Sequence, residues 1–230
     1  MKKQLLSFVA FIAIVSVASA QTPEIRYGAK GGINFASLSN VEYSKGYTGF
    51  HIGGVVEIKL SDKFSVQPEL LFSKQGVKIE GDISYSLFNP NDFNVSMKGK
   101  DVLNYINIPV MAKYYVRDGF SLQVGPQVGY LLSTKSIIDH ISVNGMTQQE
   151  MEAAGIELEY DSNSKNHANK IDFGLNFGLG YELSNGLFFD ARYNLGITNV
   201  DKKYYDENFK REIHTKMKNN VFQLSVGYKF

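Results

Sequence analysis

The sequence predicts an all-β protein: an eight-stranded antiparallel up-and-down transmembrane β-barrel. Three observations predict it. Apolar and polar residues alternate with a period of two in segment after segment. The connections between these segments alternate strictly between short and long. Aromatic side chains collect at both ends of the apolar faces.

Before the strands comes a leader. Lys2 and Lys3 precede the almost wholly apolar stretch 5–17, and Ala18-Ser19-Ala20 offers small residues for cleavage. Residues 1–20 therefore read as a secretory signal peptide, and 21–230 as the barrel domain. A membrane anchor is the alternative reading, but the apolar stretch is short for one. Beyond residue 20 no apolar run approaches the ~18 residues that a membrane helix needs.

Eight strands follow, at about 26–35, 50–60, 64–76, 102–116, 120–132, 171–183, 187–198 and 221–230. In the second, Phe50, Ile52, Val56, Ile58 and Leu60 share one face, and His51, Glu57 and Lys59 the other. In the sixth, Phe173, Leu175, Phe177, Leu179, Tyr181 and Leu183 alternate with Asp172, Gly174, Asn176, Gly178, Gly180 and Glu182. The last sets Phe222, Leu224, Val226, Tyr228 and Phe230 against Gln223, Ser225, Gly227 and Lys229. Tight-turn chemistry joins strands two and three (Ser61-Asp62-Lys63), four and five (Arg117-Asp118-Gly119) and six and seven (Ser184-Asn185-Gly186). The remaining connections, roughly 36–49, 77–101, 133–170 and 199–220, are long. Every short turn then lies at one end of the barrel and every long loop at the other, as in outer-membrane barrels.

Alternation alone leaves open a soluble lipid-binding barrel, whose apolar face points inward. The aromatics favour the membrane. Tyr27, Phe64, Tyr114, Phe120, Tyr181, Phe189 and Tyr228 fall at the short-turn end. Phe35, Phe50, Phe72, Tyr130, Phe173 and Phe222 fall towards the long-loop end. Two aromatic rings around an aliphatic band are what a bilayer selects. The polar face is charge-balanced, with Glu57, Glu69, Asp172, Glu182 and Asp190 against Lys30, Lys59, Lys113, Arg192 and Lys229. These ten residues are expected to form a paired network inside the barrel, because paired charges tolerate burial. Gly174, Gly178 and Gly180 would leave room for their long side chains. Tyr228 and the terminal Phe230 close an amphipathic strand that resembles the recognition signal of barrel assembly machinery.

Composition excludes several functions. The chain carries 24 basic and 23 acidic residues, which leaves no electrostatic footprint for nucleic acid. It has no cysteine, hence no disulfide, thiol nucleophile or Cys-ligated zinc. No nucleophile elbow or phosphate-cradling glycine loop appears. The four histidines, His51, His140, His167 and His214, show no metal-binding spacing, and no cofactor is expected. Asp161-Ser162-Asn163-Ser164-Lys165 lacks the Gly and Glu of a calcium loop. A pairing of His51 with Asp172 at the barrel rim is the one arrangement that would suit catalysis, and an interior ion pair is its plainer reading. Thr147-Gln148-Gln149-Glu150 forms a capping box, expected to start a short helix through Ala153 or Ala154 that Gly155 stops.

Several segments resemble one family across the whole mature chain. They are Gly28-Ala29-Lys30-Gly31-Gly32-Ile33-Asn34, Gln67-Pro68-Glu69-Leu70-Leu71-Phe72-Ser73-Lys74-Gln75-Gly76 and Tyr105-Ile106-Asn107-Ile108-Pro109-Val110. Gly125-Pro126-Gln127-Val128-Gly129-Tyr130, Arg192-Tyr193 and Gly227-Tyr228-Lys229-Phe230 complete the set. In these the chain resembles the PorT-like, or "porin family", outer-membrane β-barrel proteins. The resemblance implies export to the outer membrane of a two-membrane bacterium. The motifs build a barrel and specify no task. A structural or loop-presenting barrel leads, its loops contacting an extracellular ligand or an envelope protein. A small-solute channel and an accessory part of a secretion machine are the alternatives. The expected partners are outer-membrane lipid and the assembly machinery.

Overall fold

The computed structural model describes residues 23–40, 44–85, 93–143, 145–153, 168–202, 204–206, 211–213 and 216–230. The expected leader 1–20, the segment 161–165, Gly155, His167 and His214 lie outside them.

The strands are β1 (Glu24–Leu38), β2 (Ser44–Lys59), β3 (Phe64–Tyr85), β4 (Phe93–Arg117), β5 (Phe120–Val143), β6 (Met146–Thr147), β7 (Ile171–Glu182), β8 (Leu187–Gly196), β9 (Tyr204–Asp206), β10 (Arg211–Ile213) and β11 (Asn219–Lys229). One short helix, α1 (Gln148–Ala153), follows β6. Eight long strands pair antiparallel with their neighbours in chain order, β1-β2-β3-β4-β5-β7-β8-β11, and β11 returns to β1. The seam runs from Gly28↔Lys229 to Leu38↔Asn219. Closure leaves no free edge, the condition for a sheet to sit in hydrocarbon.

The tight turns have distinct solutions. Gly119 (φ 74°) and Gly186 (φ 90°) adopt the left-handed conformation that hairpin turns need. A Cβ on either would also meet a backbone oxygen, that of Glu182 at 2.2 Å or of Lys229 at 2.3 Å. The turn at Ser61-Asp62-Lys63 contains no left-handed residue. It closes instead through the amide of Phe64, which donates to the Ser61 carbonyl (3.3 Å) and hydroxyl (3.1 Å).

All four long connections hold more strand than expected: within 36–49, β1 continues to Leu38 and β2 begins at Ser44, and 199–220 contains the β9–β10 pair. Segment 77–101 is largely a hairpin, since β3 and β4 stay paired from Val77↔Asp101 to Tyr85↔Phe93. The first part of 133–170 continues β5, which pairs with β4 up to Val143↔Val95. Three strands therefore rise beyond the barrel. Backbone hydrogen bonds and β-branched residues such as Val77, Ile79, Ile137 and Ile138 sustain them. Register shifts at Gly46/His51 and Asn104/Tyr105 mark where the wall passes into this extension.

Burial decides which face is outside. Ile33, Ile52, Leu70, Ile108, Val124, Leu179, Leu195 and Leu224 are all exposed, whereas Lys30, Glu57, Glu69, Gln67 and Arg192 are at most 3% exposed. The barrel is thus polar within and apolar without, which excludes the soluble lipid-binding alternative. The aromatic rings flank the aliphatic band as contacting pairs: Phe64–Tyr114 at the short-turn end, Phe35–Phe222 and Phe50–Phe72 at the other. On β1, Tyr27 and Phe35 lie eight residues apart. That is about 26 Å along the strand and about 20 Å along the axis at a tilt of ~40°, suited to the thin outer membrane.

Candidate functional site

The lumen holds its polar side chains in tiers. In the middle tier, β8 points Arg192 and Asp190 inward, two residues apart on one face. Arg192 donates to Glu69 of β3 at 2.8 and 2.9 Å, to Asp190 at 3.0 Å and to Gln123 of β5 at 2.9 Å. Lys30 of β1 lies 2.7 Å from Glu69 and 3.7 Å from Asp190. Gln123 also donates to Asp190 (2.8 Å), and Gln67 to Glu69 (2.6 Å). Two cations and two carboxylates cancel here, and hydrogen bonds from Arg192, Gln67 and Gln123 hold both carboxylates, which is what lets charge survive away from water. Gly178 and Gly180 make the space. A Cβ on Gly178 would lie 2.6 Å from Arg192 Cγ, and one on Gly180 2.2 Å from Gln123 Nε2.

Below, towards the short turns, Glu57 of β2 is the hub. It pairs with Lys113 (3.2 Å) and Lys229, and accepts from Ser65 and Tyr115. Lys229 also reaches Glu182 (2.7 Å), which pairs with Arg26. Lys113 joins the tiers by donating to Gln67 at 3.2 Å. Of the ten residues predicted for the lumen, eight are brought together in these two tiers. Lys59 stands apart at the short-turn rim, where it pairs with Glu24 at 3.1 Å. Asp172 also stands apart, near the other mouth, and accepts from the Thr198 hydroxyl at 2.6 Å.

Missing from the predicted set are one cation, Arg26, and the neutral partners Tyr115, Gln67 and Gln123. These four complete the network, and each falls on the inward parity of its strand. That parity was the available signal.

Above the charged tiers the packing is neutral. His51 sits between Asn34 (2.8 Å) and Ser225 (2.8 Å). Asn34 in turn accepts from Gln223 (2.9 Å) and donates to Ser73 (3.0 Å). The pairing of His51 with Asp172 is therefore not formed: each has its own partners, because the strands bring His51 opposite Gly32 and Asp172 opposite Gly129. His140 is exposed on β5. Among the described residues no three metal-ligating side chains gather.

At the long-loop mouth the lumen ends in an apolar cluster: Leu103, Tyr105, Leu131, Ala168 and Val200. The first three belong to β4 and β5. Ala168 and Val200 come from the connections after β5 and β8, folded over the opening. Asn169 staples these connections, its amide donating to Val200 O and its side chain to Asn199 O (2.9 Å) and Asp201 O (3.1 Å). Val200 N donates to Met217 O at 2.8 Å. This stopper carries no periodic signal in the sequence. At the opposite end a cavity of about 900 Å³ opens among the short turns, lined in part by Arg26, Lys59, Tyr115 and Glu182.

Thr147 and Glu150 form the expected capping box of α1. The Thr147 amide donates to Glu150 at 2.8 Å, and the Glu150 amide back to the Thr147 hydroxyl at 3.4 Å. The Thr147 amide and then its hydroxyl, which donates to the same carboxylate at 2.9 Å, hold the Glu150 carboxyl below its ordinary range. At the C-terminus, the Phe230 amide donates to Tyr27 O (2.8 Å), and the Phe230 ring meets Tyr228 edge-on.

A closed antiparallel ring with a charged, hydrogen-bonded interior and an apolar girdled exterior defines an integral membrane β-barrel. The family model described as outer membrane protein beta-barrel domain matches residues 19–202, and the chain belongs to that family. Its place is the outer membrane of a Gram-negative bacterium. No curated protein matches the chain. Solved structures similar to it include neisserial surface protein A, at 10% identity and TM-score 0.45, covering 91% of this chain and 100% of that one. Another is Ail, the attachment invasion locus protein of Yersinia pestis, in complex with the heparin analogue sucrose octasulfate, at 12% identity and TM-score 0.45, with 91% and 100% covered. OprG from Pseudomonas aeruginosa follows at 15% identity and TM-score 0.38, with 90% and 94% covered.

Proposed function

We propose that this protein is a closed, loop-presenting outer-membrane barrel, whose task is performed by the surface it raises outside the cell. The observation that carries this reading is the double stopper. Two tiers of ion pairs fill the lumen, and an apolar cluster seals its long-loop mouth. An eight-stranded wall leaves an interior that side chains fill, and Arg192, Glu57, Gln67 and Lys229 here are at most 2% exposed. The rigid wall supports the β3–β5 extension and the loops around it, the usual location of binding surfaces on a scaffold. Catalysis forms no part of the reading, since His51 and Asp172 face different partners.

Residues 1–20 act in this reading as the export leader, and Tyr228 with Phe230 as the contact for the assembly machinery. The motifs from Gly28 to Phe230 resemble those of PorT-like proteins and support, as a second reading, an accessory role in a secretion or envelope machine. Reconstitution in planar bilayers tests the first reading: the protein should give no steady conductance. Large, reproducible steps would establish the channel alternative instead. A deletion strain scored for export of surface proteins tests the second.

A further inference from the structure

The outward parity of β3, apolar through Leu70 and Phe72, turns cationic immediately beyond the girdle, at Lys74 and Lys78. On β4 the same face carries Lys100 and Lys98, on β5 Lys135, and on β2 Lys45. Register makes this a cluster. Lys45 stands opposite Lys78, and Lys78 opposite Lys100. Directly opposite residues on one sheet face lie about 5 Å apart at Cβ, where like charges repel.

The nearby carboxylates do not neutralise the cluster. Glu80 is shared by Lys45 (2.7 Å) and Lys98 (3.2 Å), and Asp139 serves Lys100 (3.3 Å). Among the described residues, no acid forms an ion pair with Lys74, Lys78 or Lys135. With Asp82 counted, six lysines meet three carboxylates on this arc, an excess of three positive charges. On the opposite wall, among the described residues, the outward positions next beyond the girdle are Ser37 and Asn220, and the lysines that follow, Lys218 and Lys216, lie on one segment, with Lys218 against Ser39 rather than against another lysine. A face charged merely for solubility has no reason to set its lysines directly opposite one another, nor to seat them beside Phe72, Ile106 and Tyr130 at the membrane boundary.

We propose that this lysine arc binds the phosphate groups of an anionic lipid in the outer leaflet. A phosphorylated headgroup at the girdle would sit level with Lys74 and between Lys78 and Lys135, relieving the cross-strand repulsion and fixing one side of the barrel to a lipid shell. Ammonium groups bind phosphate as point charges on flexible stems, and a cluster at a membrane surface gains from each added cation. The apolar wall below would take the acyl chains of the same molecule, which is why the arc suits a lipid rather than a soluble polyanion.

The test uses the full-length protein folded in phosphatidylcholine nanodiscs that contain a minor fraction of diphosphoryl lipid A. Lipid retained after extraction is counted by native mass spectrometry. Dephosphorylated lipid A serves as the comparison. The wild type should retain diphosphoryl lipid A in preference to the dephosphorylated form. The triple variant Lys74→Gln, Lys78→Gln, Lys135→Gln should lose affinity by about fivefold per lysine, while the corresponding arginine triple variant should keep it. Heat-modifiable gel migration verifies that each variant is folded. The double variant Lys216→Gln, Lys218→Gln, off the arc, should retain lipid like the wild type. Retention indifferent to phosphate, an unaffected glutamine triple variant, or equal loss in the off-arc variant would each overturn the proposal. So would binding of a sulfated polysaccharide with no preference for lipid A over phosphatidylcholine.

Discussion

Replacing Arg192 with methionine keeps much of the side chain's length and removes its charge. The guanidinium makes four contacts of 2.8–3.0 Å, to Glu69 twice, Asp190 and Gln123. Without it, Glu69 and Asp190 share the single ammonium of Lys30, at 2.7 and 3.7 Å. One buried negative charge is then uncompensated, and breaking a buried pair in this way costs about 3–5 kcal/mol. With a denaturant slope of ~2 kcal/mol/M, the urea midpoint of the micelle-folded barrel should fall by about 2 M. The double variant Arg192→Met, Glu69→Gln removes one charge of each sign and leaves Lys30 facing Asp190. It should be less destabilised than the sum of its single variants by roughly 1–3 kcal/mol. Urea unfolding followed by heat-modifiable gel migration measures both. A single variant within ~1 kcal/mol of wild type, or strict additivity in the double variant, would refute the argument that mutual compensation holds this tier together.

Leu175 and Asn176 are neighbours on β7, half-exposed and buried respectively. Leu175→Arg should cost about 2–4 kcal/mol at mid-bilayer, and Asn176→Asp less. The protein has no native thiol, so Leu175→Cys and Phe177→Cys should react with a lipid-phase probe and Asn176→Cys should not; the reverse pattern would turn the barrel inside out. Glu80 lies beyond the membrane, and hydrogen bonds from Lys45 and then Lys98 lower its carboxyl below the ordinary range. Because the folded value is the lower one, this pairing is complete above the unfolded carboxylate range and lost as pH falls through the depressed value. An NMR titration of the Lys45 and Lys98 side chains should show that acid step, and Glu80→Gln should abolish it. A step that survives the substitution belongs to another group. Deleting Phe230, which is 82% exposed, should reduce outer-membrane levels while barely changing the urea midpoint; normal levels would remove its role in assembly.

The membrane-embedded wall was legible because a barrel between lipid and a polar lumen must alternate, and strands such as β7 and β11 do so without interruption. The extension of β3–β5 was not. Outside the bilayer neither face needs to be apolar, so Lys78-Ile79-Glu80 and its partner Lys98-Gly99-Lys100 resemble a loop while their backbones stay paired. The charged tiers were legible as inward residues, but their grouping depends on cross-barrel approach. Arg192 and Glu69 are 123 residues apart, and no local pattern encodes that. Lys59 shares the parity of Glu57 yet ends at the rim, because parity gives a face and not a depth. Ala168 and Val200 belong to no strand, so their part in the stopper leaves no trace in periodicity.

The seam between β1 and β11 also bears on how the chain reaches this state. Gly28 pairs with Lys229, 201 positions later, so the ring cannot shut until β11 has been made and has reached β1. Every earlier species has two unsatisfied edges, that of β1 and that of whichever strand was laid down last. Contacts so distant in sequence form slowly, since most of the chain must be ordered before they contribute. An open sheet with a lipid-facing surface and two free edges is prone to pair with another chain in the meantime. The eleven residues of β11 thus act as a commitment step. Before they dock, the protein is a sheet that aggregation can capture; afterwards it has no edge left to offer.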